Sequence, residues 1–263
     1  MMRLSREVRF ALVDDNYATQ ITNSWAGWPS SSLLVPRFTL VTTVEGTPEK
    51  KSGYICNIKL LDVLVRDVVT SEVIPCFKPG TTPELILRHV HRHCVKTWKV
   101  PDVPIVEQTL ILTPYLKFTI SSKDNTMVCL TQQFEFSASH RLHNEELSDQ
   151  ENRELFGKCN NPNGHGHNYV VEVSLQRTMA EGEVNLHQFE AKVKELVIDR
   201  LDHKHLNCDV EHFASVNPSV ENIAVAIYDW LYGQFGDSKL AKVRVYETPK
   251  TWADYSGDPK TAA

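Results

Sequence analysis

The chain has no surplus of basic residues, no long apolar run, no clustered cysteines and no histidine before His89. Each absence narrows what it can be. A formal net charge of −5 and a pI of about 6.1 provide no field for a polyanion, which argues against a nucleic-acid partner. No stretch approaches the roughly 18 apolar residues of a membrane span, so no membrane partner is expected. The opening Met1-Met-Arg-Leu-Ser-Arg lacks the apolar centre of a secretion signal. The six cysteines, Cys56, Cys76, Cys94, Cys129, Cys159 and Cys208, show no disulfide-framework spacing, so a reducing, cytoplasmic setting is the simplest expectation. At 263 residues the chain suits two ordinary domains or one large one.

What is present concentrates between His140 and His167. Phe134, Phe136, Ala138 and His140 share one phase of a period-2 pattern, as do His165, His167, Tyr169, Val171, Val173 and Leu175. Side chains alternate faces along a strand, so His165 and His167 fall on the same, otherwise apolar, face. Imidazoles at positions where the pattern predicts burial need partners. With His140 from a neighbouring strand they make a three-nitrogen site with an open fourth position, the arrangement of catalytic zinc. Cys159 stands six residues before His165, where a cation would favour its thiolate. The blander readings are surface or hydrogen-bonded core histidines and a structural thiol.

The polar run Ser121-Ser-Lys-Asp-Asn-Thr126 divides the chain into halves with one order of elements. In the second half, strands are expected near 132–139 and 167–175, separated by a long loop. Helices follow around 186–201 and 218–235, then a strand at 241–248. Phe189, Val193, Leu196, Val197 and Leu201 set the helical spacing in the first helix; Ile223, Ala226, Ile227, Trp230 and Leu231 set it in the second. The first half repeats this with strands at 7–13 and 38–44, helices at 58–73 and 83–98, and a strand at 106–113. Local echoes fit a duplication: Cys56-Asn-Ile-Lys-Leu-Leu with Val184-Asn-Leu-His-Gln-Phe, Thr82-Pro-Glu-Leu-Ile with Ser219-Val-Glu-Asn-Ile, and Leu110-Ile-Leu-Thr-Pro with Val245-Tyr-Glu-Thr-Pro. Glu45–Asn57 and Thr178–Asn185 each read as a turn feeding a short fourth strand. The fold class expected is therefore α+β, each half an antiparallel sheet with two helices on one face.

Phe-Ser-Ala-Ser-His140-Arg-Leu, Leu-Phe-Gly-Lys-Cys159-Asn-Asn-Pro-Asn-Gly-His165-Gly-His167-Asn-Tyr, Leu201-Asp-His-Lys-His-Leu-Asn, Glu221-Asn-Ile-Ala-Val and Val245-Tyr-Glu-Thr together resemble the 6-pyruvoyltetrahydropterin synthase family. The resemblance covers the second half nearly end to end. It implies two tandem tetrahydropterin-synthase-like (T-fold) units of four antiparallel strands and two helices, 1–121 degenerate and 127–263 catalytic. It implies Zn2+ held by His140, His165 and His167, and conversion of 7,8-dihydroneopterin triphosphate to 6-pyruvoyltetrahydropterin with loss of triphosphate. Cys159 resembles the family's general base, and Asp202 with His203 its acid–base pair. Glu247 resembles the carboxylate that grips the pterin, and Glu221 a supporting pterin contact.

Each residue taken alone has another reading. Asp202-His203 could simply end a helix, Glu221 could complement a helix dipole, and Glu247 could be a solvated strand end. The sibling 6-carboxytetrahydropterin synthase of deazaguanine biosynthesis is the alternative activity; the long Cys-x5-His-Gly-His spacing favours the pyruvoyl branch. A non-catalytic pterin-binding protein is the alternative from another class.

Laid on the second half, the first places Asp14 opposite His140, Leu34 and Pro36 opposite His165 and His167, Ile74-Pro75 near Asp202-His203, and Leu112 at Glu247. It is expected to be catalytically silent, a built-in pseudo-subunit with its segment 20–36 walling a pocket. The partner calls for a small-molecule pterin substrate and a homo-oligomer, a trimer of two-unit chains mimicking a hexamer. His89 and His93 are i,i+4 neighbours on a helix that also carries His91. With no third ligand or carboxylate evident nearby, a solvated helix face is the simpler reading. His187, His205 and His212 carry no interpretable motif, and Cys208 reads as structural.

Overall fold

A computed structural model describes residues 1–11, 27–29, 34–76, 78, 80–178 and 184–257. Contacts group it into two compact units, Met1–Leu130 with Thr178–Glu183, and Thr131–Arg177 with Val184–Ala263. The division falls within strand β5 (Asp124–His140) rather than in the polar run 121–126, part of which forms the turn between β4 (Leu116–Ser121) and β5.

In the first unit, β1 (Met2–Ala11), β2 (Arg37–Gly46), β3 (Ile105–Thr113) and β4 are neighbours in that order, and the paired β1, β2, β3 and β4 run antiparallel. Helix α1 (Ile58–Val68) starts where the Asn57 side chain accepts a hydrogen bond from the Lys59 N–H, and it runs on into a π turn, Val69–Val73. Helix α2 (Pro83–Thr97) starts at Thr82, whose hydroxyl accepts from Leu85 N–H, with proline preset for the first turn. Val8, Leu40, Leu61, Val65, Leu87, Val90, Leu110 and Phe118 are buried and form its core. His91 is buried too. Its Nδ1 lies 3.0 Å from Gln108 Oε1, and Gln108 Nε2 donates to Thr42 Oγ1 at 2.9 Å, so the α2 histidines are not a uniformly solvated face.

The second unit repeats the local chemistry. Asn185 caps α4 (Leu186–Val193) by accepting from Gln188 N–H, and the helix again passes into a π turn, Lys194–Ile198, before the short α5 (Asp199–Leu201). Ser219 caps α7 (Val220–Leu231), as Thr82 caps α2. Between these helices lie a two-residue strand β7 (Lys204–His205) and the short α6 (Leu206–Asp209). The sheet order is β5, β6 (His165–Thr178), β8 (Lys239–Thr248), β9 (Thr251–Tyr255). Strand β7 adds a parallel two-residue pairing to β5.

Three features depart from expectation. The first-half fourth strand is not in Glu45–Asn57, where the chain turns and Gly53 N–H donates to Glu49 C=O at 2.8 Å; it is β4. In the second half, β9 follows the strand expected to be last; most of the 178–185 segment, like Asp14, lies outside the described residues. The loop before β6 contains helix α3 (Asp149–Phe156), started by a reciprocal Ser148/Glu151 capping box.

Candidate active site

The register of β5 against β6 builds the site. Thr131 pairs with Ser174, Gln133 with Glu172 and Ser137 with Asn168 through side-chain hydrogen bonds of 2.7 to 2.8 Å. Each step forward on β5 matches one step back on β6, so the ladder carries His140 opposite His165. Their Nε2 atoms are 3.1 Å apart. Below them the same face is dry: Tyr169, Val171 and Val173 have no exposed surface, and Phe136 stacks on Tyr169 at 4.8 Å. A slip of β6 by one residue would turn His165 and His167 to the other face, away from His140, so the apolar core is what holds their orientation.

His140 is fully buried, and its Nδ1 lies 2.7 Å from the Pro218 carbonyl oxygen. A carbonyl can only accept, so Nδ1 carries the proton and the Nε2 lone pair faces the other imidazoles. Burial, reinforced by His165, His167 and His205, lowers the His140 pKa to about 4, so the ring is neutral at pH 7 and competent as a ligand. His165 is shifted the same way by desolvation and by His167, against an opposing pull from Glu247.

The ligand-capable atoms of His140, His165 and His167 all lie within 4.8 Å of one another. Zinc–nitrogen bonds of about 2.0–2.1 Å in a tetrahedron imply nitrogen–nitrogen edges of about 3.4 Å, close to the His140–His165 spacing. His167 Nε2 and His165 Nδ1 are buried and make no hydrogen bond, a costly condition unless another partner is supplied. The donor set and its two orphaned nitrogens fit a metal ion.

Glu247, on β8, brings Oε1 to 3.6 Å from both His140 Nε2 and His167 Nε2. Its carboxylate is partly buried rather than freely solvated. Cys159 lies in a 3-10 turn, Gly157–Asn160, stitched to the segment leaving β5. Leu142 N–H donates to Cys159 C=O at 2.9 Å, Asn160 Nδ2 donates to Leu142 C=O at 2.8 Å, and Arg141 Nε donates to Asn160 C=O at 3.2 Å. Tyr169 has its ionisation pushed upward by burial first, then by the charges of Glu247 and Cys159.

Asp202 and His203 form a pair of their own. His203 Nδ1 is 2.8 Å from Asp202 Oδ2, and Asp202 also accepts from the Ser137 backbone N–H at 2.9 Å. That N–H bond, then His203, holds the Asp202 carboxyl below the usual range. His203 follows the end of α5 with φ of 57°, a left-handed position usually left to glycine or asparagine, and its side chain is 83 % exposed. The pair therefore ends a helix and presents an oriented imidazole to solvent. Glu221 is exposed in the first turn of α7, three residues after the carbonyl that holds His140.

His205 is the neighbour that sequence reasoning passed over. It is paired with Ser139 through β7, its charge is felt by His140, and a Cβ on Gly164 would meet its Nε2 at 2.9 Å. Its place two residues after His203 was the available signal. A separate cleft of about 680 Å³ in this unit is lined by Asp199, Arg200, Lys204 and Trp230 and includes none of the residues above.

These features define an enzyme-type site on an antiparallel α+β unit: three convergent imidazoles able to hold a metal, a carboxylate at their edge, and a thiol and an Asp–His pair on adjoining turns. The family model described as 6-pyruvoyl tetrahydropterin synthase matches residues 129–258. The human 6-pyruvoyl tetrahydrobiopterin synthase is 46% identical over 132 residues, covering 49% of this chain and 91% of that protein. The Drosophila melanogaster 6-pyruvoyl tetrahydrobiopterin synthase is 42% identical over 132 residues, 49% of this chain and 79% of its own length. A solved structure of the Caenorhabditis elegans 6-pyruvoyl tetrahydropterin synthase is 43% identical, covering 50% of this chain and 96% of that one, with a TM-score of 0.47. The chain belongs to the 6-pyruvoyl tetrahydropterin synthase family. No described helix is long and apolar enough to cross a membrane.

Proposed function

We propose that the second unit converts 7,8-dihydroneopterin triphosphate to 6-pyruvoyltetrahydropterin, releasing triphosphate, in a zinc-dependent reaction that uses no redox cofactor. The observation that carries the reading is the convergence of His140, His165, His167 and Glu247 at one end of the β5–β6–β8 sheet. Zn2+ held by the three histidines would polarise the side-chain hydroxyls of the substrate and stabilise the negative charge that develops as they lose protons.

The remaining steps fall to the protein. Glu247 accepts two hydrogen bonds from the pterin, one from a ring N–H and one from the exocyclic amino group, which fixes the ring's orientation. Glu221 supports the ring from the start of α7. Cys159, on its braced turn, removes the acidic proton of the side-chain carbon beside the imine. Asp202 keeps the His203 imidazole oriented through the 2.8 Å contact at Nδ1, so that His203 Nε2 can hand a proton over and take one back. The first unit, 1–121, carries none of these groups at the aligned positions and serves as a tandem T-fold pseudo-subunit. The chain would then assemble as a trimer of two-unit chains in the cytoplasm.

Incubation of the metal-loaded protein with dihydroneopterin triphosphate, followed by mass analysis, tests the reading. Stoichiometric triphosphate with a pyruvoyl product is expected. A carboxylated pterin would instead identify the deazaguanine branch, and unreacted substrate that nevertheless binds would identify a pterin-binding protein.

A further inference from the structure

The first unit contains a second convergence of ligand-type side chains, outside the span matched to the family. Helix α2 carries His89 and His93 one turn apart, with ring centroids 4.4 Å apart. The third member comes from a different element. Helix α1 does not stop at Val68 but widens into the π turn Val69–Val73, and that turn packs against α2. A π turn accommodates an extra residue and so changes which side chain faces the neighbour. Here it directs Glu72 at the two imidazoles: Oε2 is 3.3 Å from His93 Nδ1 and 3.5 Å from His89 Nε2.

We propose that Glu72, His89 and His93 form a second metal site, selective for a zinc-type divalent transition ion, that clamps the π turn to helix α2. Both carboxylate–imidazole spacings match the roughly 3.4 Å ligand–ligand edge of a tetrahedral zinc site. His89 Nε2 is shielded from solvent and makes no hydrogen bond, although a carboxylate oxygen lies 3.5 Å away. That is the condition of a ligand atom aimed at a shared ion rather than at its neighbour. Two imidazoles and one carboxylate suit zinc, cobalt or nickel and discriminate against magnesium and calcium, which take oxygen donors. The three side chains are 29 to 39 % exposed, so an ion has a path in and a water can complete its coordination. Among the described residues these are the two groups with metal-ligand geometry, one in each unit. The site makes no use of the pterin chemistry and stands or falls independently of it.

The test uses the full-length chain, stripped of metal and reloaded with Zn2+ alone or Co2+ alone. Wild type, His89→Ala, Glu72→Gln and His165→Ala are compared for metal content after buffer exchange. Glu72→Gln keeps the side-chain volume, and the metal-free unfolding midpoint of each variant checks that it folds. The expected result is that His89→Ala and Glu72→Gln each lose one equivalent of Zn2+ relative to wild type, whatever His165→Ala does to the other. The Zn2+-dependent rise in unfolding midpoint should shrink in the same two variants, and the Co2+ ligand-field spectrum should lose one component. Metal content and midpoint shift unchanged by both substitutions would overturn the proposal, as would a wild-type chain whose bound Zn2+ is removed entirely by His165→Ala.

Discussion

Gly164 ties backbone geometry to the histidine cluster in a way one substitution can measure. Its φ is 71°, and an ideal Cβ built there would lie 2.9 Å from His205 Nε2, 3.0 Å from the His140 carbonyl oxygen and 3.4 Å from the His140 carbonyl carbon. Gly233, in the same unit, has φ of 72° with nothing within 4 Å of its Cβ, so it isolates the backbone term. Alanine at a left-handed position costs about 1–2 kcal/mol, partly offset by the lower entropy of the unfolded alanine chain. Gly233→Ala should therefore lose about 1 kcal/mol. Gly164→Ala carries that cost plus overpacking of about 1–3 kcal/mol, because the obstacle includes a backbone carbonyl that cannot swing aside. A total of about 2–4 kcal/mol is expected, measured by urea unfolding. The functional effect should be larger than the stability effect implies. Relief of the clash moves His140 or His205, and a shift approaching 1 Å at a reacting centre costs on the order of 10²-fold in rate. Turnover and metal content are compared with those of Gly233→Ala at a temperature where both are folded. Equal stability and equal turnover in the two variants would refute the contact argument.

Cys159→Ala should abolish turnover while zinc content stays at the wild-type level; retained turnover removes the thiol from the base role. Asn160→Ala should lower kcat at least several-fold and destabilise by about 1–3 kcal/mol, since the bond to Leu142 C=O is replaced by an unpartnered carbonyl; an unchanged kcat would show that the Cys159 turn does not depend on it. In metal-free protein, His140 has a folded pKa of about 4 against about 6.5 unfolded, so the unfolded chain binds the extra proton first as pH falls. Stability conferred by neutral His140 is full above pH 6.5 and is lost as pH drops toward 4, by on the order of 3 kcal/mol. Urea midpoints that stay flat across that window would contradict it. Arg244 holds Asp254 through two bonds, 2.6 and 2.7 Å, between β8 and β9, and Asp254→Asn should cost about 1 kcal/mol because the pair is partly exposed; melts that match wild type would count against a role in holding the edge strand.

Much of the architecture was written locally. The helix starts after Asn57, Thr82 and Asn185 fell where the apolar spacing put them, and the helix expected from 218 begins after Ser219, each held by a cap that acts over three residues. The capping box Ser148-x-x-Glu151 was equally local, and reading the whole stretch as a loop missed it. The π turns at 69–73 and 194–198 were hidden inside ordinary helical spacing, since a single extra residue in a turn leaves the apolar pattern almost intact. The fourth strand was sought in Glu45–Asn57, but a segment with strand-like residues becomes a strand only if an edge is open to it. The open edges went to β4 and β9, hairpin partners of β3 and β8.

The sequence by itself determined the faces: period-2 phasing put His140, His165 and His167 on the buried side of two strands, and their motifs identified the family. Tertiary structure decided which distant groups meet. Glu247 reaches the histidines from β8, Pro218 sets the His140 tautomer from the approach to α7, His205 arrives through a two-residue strand, and Glu72 turns toward His89 and His93. Phase is a property of neighbouring residues, whereas a side-chain encounter across tens of residues depends on how whole elements pack, and no local pattern encodes that.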